Sequence, residues 1–261
     1  MVGRATRNFS RLMVEFDRMV GMQGSLAAAR WLLPHFARTY QAAGQEIIPP
    51  DGPLLVVSNH PAAFDSILIS AFIDRPDYKV IVGDVPPYHY LPNLCEHAIF
   101  SPPDKETLGR ALTVRNAIHH LASGGSLLIF PRGGIEPDPD LMPDPDREFH
   151  RWSHSLDIFL KHVPNTQVLV SIVSGVIARA AMSHPLTRLR RNLPDRQRLA
   201  FMLQFIRQLL GGSEHYGLAA RVTFGEVLAG VDRGCILSEV EQAARRTLSR
   251  HQQHFQPPSP A

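Results

Sequence analysis

A histidine and an aspartate five residues apart, His60 and Asp65, directly follow a run of apolar residues. The run at 54–57 predicts a buried strand, and Pro61 disfavours helical backbone at His60. Pro61 also suits the first position of a helix, so Asp65 is expected one turn into that helix. A break between the two residues would let the carboxylate reach the imidazole ring, because residues five apart on one helix point in different directions.

Such a pair can do acid–base chemistry. A carboxylate on one ring nitrogen fixes the tautomer and stabilises the imidazolium, which leaves the other nitrogen free to take a proton from a hydroxyl. The structural alternative is that His60 caps the helix and Asp65 favours its dipole. This segment alone does not decide between the two interpretations.

A second segment, residues 130–134, ends another predicted apolar strand at 126–130 with Phe-Pro-Arg-Gly-Gly. Together with Asn-His-Pro-Ala-Ala-Phe-Asp at 59–65, it resembles the glycerolipid acyltransferase superfamily, whose hallmarks are an N-H-x4-D box and an F-P-E-G-T box. The resemblance extends in order over about residues 50–230, with weaker matches at 97–100 and 221–226.

The resemblance implies a reaction and a set of contacts. A fatty acyl group would pass from acyl-CoA or an acyl carrier protein to a hydroxyl of a glycerolipid-type acceptor, with no resident cofactor or metal ion. His60 would be the general base and Asp65 its orienter. Oxyanion donors would be backbone N–H groups of the turn at 133–134 or of the helix start after His60. The implied substrate-binding residues are Asn59, Phe64, Phe130, Pro131, Arg132, Gly133, Gly134 and Glu136.

Departures from the family pattern fall on the acceptor side. Arg132 stands where the family has glutamate, Gly134 stands where it has threonine, and no second-box arginine follows Phe100. Arg132 could contact a phosphate, since a guanidinium binds two oxygens at once, or it could be a surface turn residue. Glu136 is a candidate replacement for the missing carboxylate. Two alternatives therefore stay open: an acceptor other than a glycerol phosphate, and a lipid-binding protein with little catalysis.

Composition excludes several classes. The 261 residues are 44% hydrophobic, which is enough for one large core. The two cysteines, Cys95 and Cys235, give no disulfide framework, which is typical of a reducing cytosol. The sequence shows neither a signal peptide nor a stretch of ~20 apolar residues that could span a bilayer. We therefore expect a cytoplasmic protein, either soluble or peripheral to the inner face of the membrane. The sequence contains neither a G-x-S-x-G motif nor a P-loop, which argues against an α/β-hydrolase and against a nucleotide-dependent kinase. The arginines lack interleaved aromatics, so no nucleic-acid partner is expected.

Basic residues concentrate in two segments. Residues 1–45 hold six arginines against two acids, and apolar stripes predict helices over 6–20 and 25–43 separated by glycines. This amphipathic pair could lie on an anionic membrane or pack on the core. The segment 188–198 holds five arginines and leads into a helix at 196–210. It could dock on a membrane, bind phosphates of the donor, or be a solvated face.

Alternating strands and helices predict an α/β fold with a central mixed sheet flanked by helices and an N-terminal helical pair. We divide the chain into a helical region (1–45), an acyltransferase-like domain (46–251) and a disordered tail (252–261). The acidic, proline-rich loop at 136–146 is expected to be a rigid rim, and the scattered histidines predict no metal site. Predicted strands are 54–58, 79–82, 98–100, 126–130, 168–174 and 221–224; predicted helices include 62–74, 105–123, 155–162, 196–210 and 239–251.

Overall fold

The computed structural model describes residues 2–103, 107–153, 155–229 and 236–255. Its strands are β1 (Thr39–Ala43), β2 (Leu54–Ser58), β3 (Lys79–Gly83), β4 (Ala98–Ser101), β5 (Ser126–Ile129), β6 (Gln167–Ser174) and β7 (Ala219–Ala229). They form one sheet in the order β1-β7-β6-β2-β5-β3-β4. Among these described strands only β6 and β7 pair antiparallel, so the sheet is mixed, as predicted.

Helices cover both faces of the sheet. They are α1 (Val2–Leu32), α2 (Asp65–Ser70), α3 (Pro92–Glu96), α4 (Thr107–Ala122), α5 (Ser155–His162), α6 (Arg179–Met182), α7 (Leu193–Gly211) and α8 (Leu237–Phe255), with short 3₁₀ helices between them. One core lies beneath α1, α2, α6 and α7, and a second lies beneath α4, α5 and α8.

The central strand β2 shows why the sheet is buried on both sides. Leu54 and Val56 enter the first core, whereas Leu55 and Val57 enter the second. Side chains alternate across a strand, so a continuous apolar run is what a parallel strand between two helical layers requires. β2 pairs with β5 on one side and β6 on the other, both in parallel. The carboxyl ends of these strands therefore meet at one sheet edge.

The six predicted strands are confirmed, but β1 is missing from the prediction. The helix expected over 25–43 ends at Leu32, and after a 3₁₀ turn the chain becomes an edge strand parallel to β7. Pro34 lacks a backbone N–H and so cannot continue the helical hydrogen bonds. The N–H groups of Arg38 and Thr39 instead donate to the carbonyl of Leu218, just before β7. Pairing with a distant strand thus overrides the local helical pattern, and the N-terminal region contributes to the sheet.

The long helix α1 breaks at Gly24, whose φ of 83° is left-handed, close to the predicted separation of two helices. Its apolar stripe is used by the core, where Phe16 and Val20 are buried and Leu12, Met13 and Met19 pack beside them. Of the two interpretations of this region, packing on the core is therefore the one that the structure shows.

At the other end of the chain, α8 continues to Phe255, past the predicted end at 251. The remainder of the predicted tail and Cys235 lie outside the described residues. In the described part of the chain, no helix combines the length and apolar character needed to cross a bilayer.

Candidate active site

The loop after β2 is fastened to β6 as it leaves the sheet. The Asn59 side chain donates to the carbonyl of Val173 at 2.9 Å and accepts from its N–H at 2.7 Å. Asn59 is buried, so its amide takes the place of a strand partner one residue beyond β2. A residue predicted to bind substrate therefore has its polar atoms committed to positioning His60.

His60 and Asp65 form the predicted pair. Nδ1 of His60 lies 3.0 Å from Oδ2 of Asp65, and the Ala62 N–H donates to the same oxygen at 2.7 Å. The Asp65 side chain is fully buried, whereas 23% of the His60 side chain is exposed. The predicted helix start was wrong, because residues 61–64 form turns and α2 begins at Asp65 itself. The turn has the same effect as the expected break, since it brings the carboxylate back to the ring.

The Asp65 carboxylate faces the His60 ring from a fully buried position. Burial raises the pKa of Asp65, while the hydrogen bond to His60 opposes that shift. Oδ1 of Asp65 is buried without a hydrogen-bond partner among the described residues. A poorly solvated carboxylate gains most from a neighbouring cation, so Asp65 is suited to stabilise the imidazolium that forms when His60 accepts a proton.

The second predicted segment meets the first at this edge. The Phe130 ring stacks on the His60 ring with centroids 4.2 Å apart. The Glu136 N–H donates to the His60 carbonyl at 2.8 Å, so the loop after β5 holds the histidine backbone as well. Parallel pairing of β2 with β5 is what brings these two segments together.

Gln197 on α7 ties the two loops to each other, and sequence analysis missed it. Its Nε2 donates to the carbonyls of Pro61 at 3.0 Å and Glu136 at 2.7 Å, and its Oε1 accepts from the Asp138 N–H. A signal was available: glutamines at 197, 204 and 208 share one face of the helix. All three are buried and donate to backbone carbonyls.

Asp138 anchors the rim loop that was predicted to be rigid. Its carboxylate accepts from the N–H groups of Gly175, Val176 and Ile177 at 3.0–3.1 Å, just after β6. Burial raises the pKa of Asp138 to about 7, against these donors, which favour the ionised form. The rim is thus held by a hydrogen-bonded aspartate beneath the site.

Arg132 lies beside a second arginine. Its Nε donates to Glu148 at 2.9 Å, and its side chain is half-buried. A methyl group built on Gly134 would lie 3.4 Å from Nη1 of Arg132 and 4.0 Å from Nη2 of Arg198. Two guanidinium groups therefore flank the space above Gly134, which brings the basic segment at 188–198 to the site.

The Glu136 side chain is buried against Trp152. The indole N–H donates to its Oε1 at 3.1 Å, and burial raises the pKa of Glu136 well above its usual range. The candidate replacement for the family carboxylate therefore has an indole as its partner.

Three other predicted contacts have partners within the protein. Phe64 is buried and stacks on Phe36, with ring centroids 5.7 Å apart. Pro131 is buried, and its carbonyl accepts from Ser153 at 3.0 Å. The Gly133 N–H donates to the Phe130 carbonyl at 3.0 Å, and its φ of 68° favours glycine. The Gly134 N–H has no hydrogen-bond partner among the described residues, so within that turn it remains available as a donor.

Comparison with known proteins adds a family. Residues 40–156 match the family model "Acyltransferase", a range that contains both predicted boxes and confirms the resemblance. The crystal structure of the 1-acyl-sn-glycerophosphate (LPA) acyltransferase PlsC from Thermotoga maritima is similar at 15% identity and a TM-score of 0.49, covering 95% of this chain and 98% of that one. No curated protein matches this sequence. Within the described ranges, no cluster of three or more His, Cys, Asp or Glu side chains could hold a metal ion.

Proposed function

We propose that this chain, whose residues 40–156 match the acyltransferase family model, transfers a fatty acyl group from a thioester to a hydroxyl of a glycerolipid-type acceptor. The donor would be acyl-CoA or an acyl carrier protein, and the reaction would take place at the cytoplasmic face of a membrane. The observation that carries this proposal is the buried Asp65 carboxylate, 3.0 Å from one ring nitrogen of a partly exposed His60.

In the proposed reaction, His60 removes a proton while the acceptor oxygen attacks. Nδ1 is engaged by Asp65, so Nε2 is the atom that takes the hydroxyl proton. The oxygen forms a bond to the thioester carbonyl carbon, and the electron pair moves onto the carbonyl oxygen. When the tetrahedral intermediate collapses, the carbon–sulfur bond breaks, and the proton on His60 passes to the departing thiolate.

The oxyanion needs a donor, and the Gly134 N–H is the one we propose. The Gly133 and Ala62 N–H groups already serve Phe130 and Asp65, which removes two of the donors expected from the sequence. Removal of one preorganised oxyanion donor costs about 10²–10³ in rate in a well-characterised acyl-transfer enzyme.

The two guanidinium groups above Gly134 support an anionic acceptor headgroup. Arg132 is paired with Glu148 and Arg198 with Asp195, but each guanidinium has further N–H groups that can donate to phosphate oxygens, and a neutral diol would gain no charge attraction from them. The same observation weighs against a neutral acceptor, which is one of the alternatives that the sequence left open.

The direct test follows free thiol released from a long-chain acyl-CoA, and then from an acyl carrier protein, in the presence of lysophosphatidate, lysophosphatidylcholine or monoacylglycerol. We expect acceptor-dependent release that is lost in His60→Ala. Release from lysophosphatidate but little from monoacylglycerol would support the anionic headgroup. Lipid binding without release from either donor would instead identify a lipid-binding protein and overturn the proposal.

A further inference from the structure

An exposed segment before α7, which we call the leucine–arginine segment (residues 186–193), combines apolar and basic side chains. Leu186, Leu189 and Leu193 are 47%, 76% and 41% exposed. Arg188, Arg190 and Arg191 are exposed between them, and none forms an ion pair with a described residue. From residue 179 to residue 194 the sequence contains no acidic side chain.

The exposure of these leucines is built into the fold. Thr187 is fully buried between them, and its hydroxyl donates to the carbonyls of Met182 and His184 at 2.8 and 2.7 Å. Asn192 then caps α7, accepting from the Asp195 N–H at 2.9 Å. Because a buried residue and a helix cap fix the backbone on both sides, the three leucines are held outward rather than displayed by a loose loop.

The segment lies close to the candidate active site. Leu193 begins α7, and Gln197 lies four residues later, about 6 Å along the helix axis. Gln197 is the residue that binds the loops of His60 and Glu136 through Pro61 and Glu136 carbonyls. Exposed apolar side chains continue along the outer face of α7 at Met202 and Ile206.

We infer that the leucine–arginine segment docks the protein on an anionic lipid surface. Leucines that enter the boundary between headgroups and acyl chains, with arginines at headgroup level, are the combination that interfacial attachment requires. Binding of free phosphates would use the arginines but would leave the leucines in water. The apolar stripe of α1, the other basic region, is occupied by the core.

This inference rests on the proposed function and extends it. A membrane-resident acceptor would reach His60 from the bilayer on which the segment lies, so its hydroxyl need not leave the headgroup layer. The segment would therefore hold the protein on the membrane and give His60 access to lipid acceptors, without taking part in proton transfer.

Vesicle sedimentation tests the docking without depending on catalysis. We expect the full chain to bind phosphatidylcholine vesicles that contain phosphatidylglycerol, and to bind vesicles of phosphatidylcholine alone more weakly. Leu189→Asp and Arg190→Glu should each weaken binding about tenfold or more. The matched controls are Ile158→Asp, at a side chain 43% exposed on α5, and Arg147→Glu in the 3₁₀ helix 145–151; both should bind as wild type.

Three results would overturn the inference. One is equal vesicle binding by Leu189→Asp, Arg190→Glu and wild type. Another is equal loss in the controls and the segment variants. A loss confined to Arg190→Glu that also weakens acyl-CoA binding in the absence of vesicles would assign the segment to the donor and would likewise overturn the lipid surface.

Activity separates this inference from the proposed function. With a short-chain, water-soluble acceptor, Leu189→Asp should keep wild-type turnover, whereas His60→Ala should lose it. Failure of the proposed function would remove turnover from wild type and every variant alike, yet vesicle binding would still report on the segment.

Discussion

Two histidine–aspartate pairs with the same sequence separation lie at the same edge of the sheet. His60 and Asp65 follow β2, while Asp84 and His89 follow β3, and both strands run parallel to β5. The hydrogen bonds are 3.0 Å in the first pair and 2.6 Å in the second. Each ring also contacts a phenylalanine ring: His60 stacks on Phe130 with centroids 4.2 Å apart, and His89 lies tilted against Phe100 with centroids 4.6 Å apart. By sequence separation and hydrogen bonding alone, both pairs would qualify as a histidine oriented by a carboxylate.

Burial distinguishes them. The side chains of His89 and Asp84 are 51% and 38% exposed, against 23% for His60 and none for Asp65. Asp65 also accepts the Ala62 N–H, which fixes the carboxylate. Water screens the exposed pair, so its attraction is worth little, whereas the buried carboxylate acts on its imidazole in a low-dielectric site. The comparison teaches that desolvation of the carboxylate, rather than hydrogen-bond length, makes such a pair suited to catalysis.

The largest contrast should come from removing each ring. We expect His60→Ala to lower the rate of acyl transfer by about 10²–10⁴, because the variant lacks the proposed general base. His89→Ala, which removes a half-exposed ring at the same edge, should stay within about twofold of wild type. Steady-state thiol release measures both, with thermal unfolding to show that each variant is folded. Comparable losses in the two variants would contradict the distinction drawn from burial.

Neutralising the carboxylates should give a smaller contrast. Asp65→Asn keeps the shape but removes the charge that stabilises the imidazolium, so kcat should fall by about 10²-fold or more. Asp84→Asn should leave kcat unchanged. The measurement is kcat at saturating donor and acceptor for both variants. A wild-type kcat in Asp65→Asn would mean that the aspartate serves only to hold the turn.

A third test concerns Gln197, which holds the loop of the His60–Asp65 pair in place. Gln197→Leu removes the donor shared by the Pro61 and Glu136 carbonyls, and we expect kcat to fall about tenfold and unfolding free energy to fall by about 2–3 kcal/mol. Gln208 lies on the same helix and donates to the Phe36 carbonyl, so Gln208→Leu removes a similar hydrogen bond. This variant should lose stability but keep the wild-type kcat. Kinetics and denaturant unfolding are measured together. Equal kcat losses in the two variants would assign the effect to general destabilisation.

The smallest effect concerns a third histidine, His251, buried between the hydroxyls of Thr223 and Ser174 at 2.8 and 2.7 Å. Burial lowers the pKa of His251 to about 3, so between pH 6.5 and 3 the unfolded chain binds a proton that the folded chain does not. Its contribution to stability is therefore lost as pH falls below about 6.5, by up to about 1.4 kcal/mol per pH unit.

His251→Gln should remove this slope, although it also lowers stability at every pH. The check is urea unfolding of wild type and variant from pH 7 to pH 5, with the difference between them plotted against pH. The difference should shrink as the pH falls; a constant difference would show that the buried ring is not the source.

Much of the sheet was predictable because its strands carry strong local patterns. β2 and β5 are short apolar runs ended by proline or glycine turns, and both were located within a residue. β1 was missed because its residues are half-exposed and gain strand structure only by pairing with β7, far along the chain. Gln197 was missed for a similar reason, since its partners at Pro61 and Glu136 are distant in sequence.

The sequence by itself determined which reactive residues are present, namely His60, Asp65 and the turn at Arg132, and the apolar strands that precede them. Local rules suffice for these, because residue type, proline and hydrophobic period act over a few neighbours. Only the tertiary structure decided that Asp65 is desolvated while Asp84 is not, and that Arg198 joins Arg132 above Gly134. Burial and charge proximity depend on which distant elements pack together, and that information is not held in any short stretch of sequence.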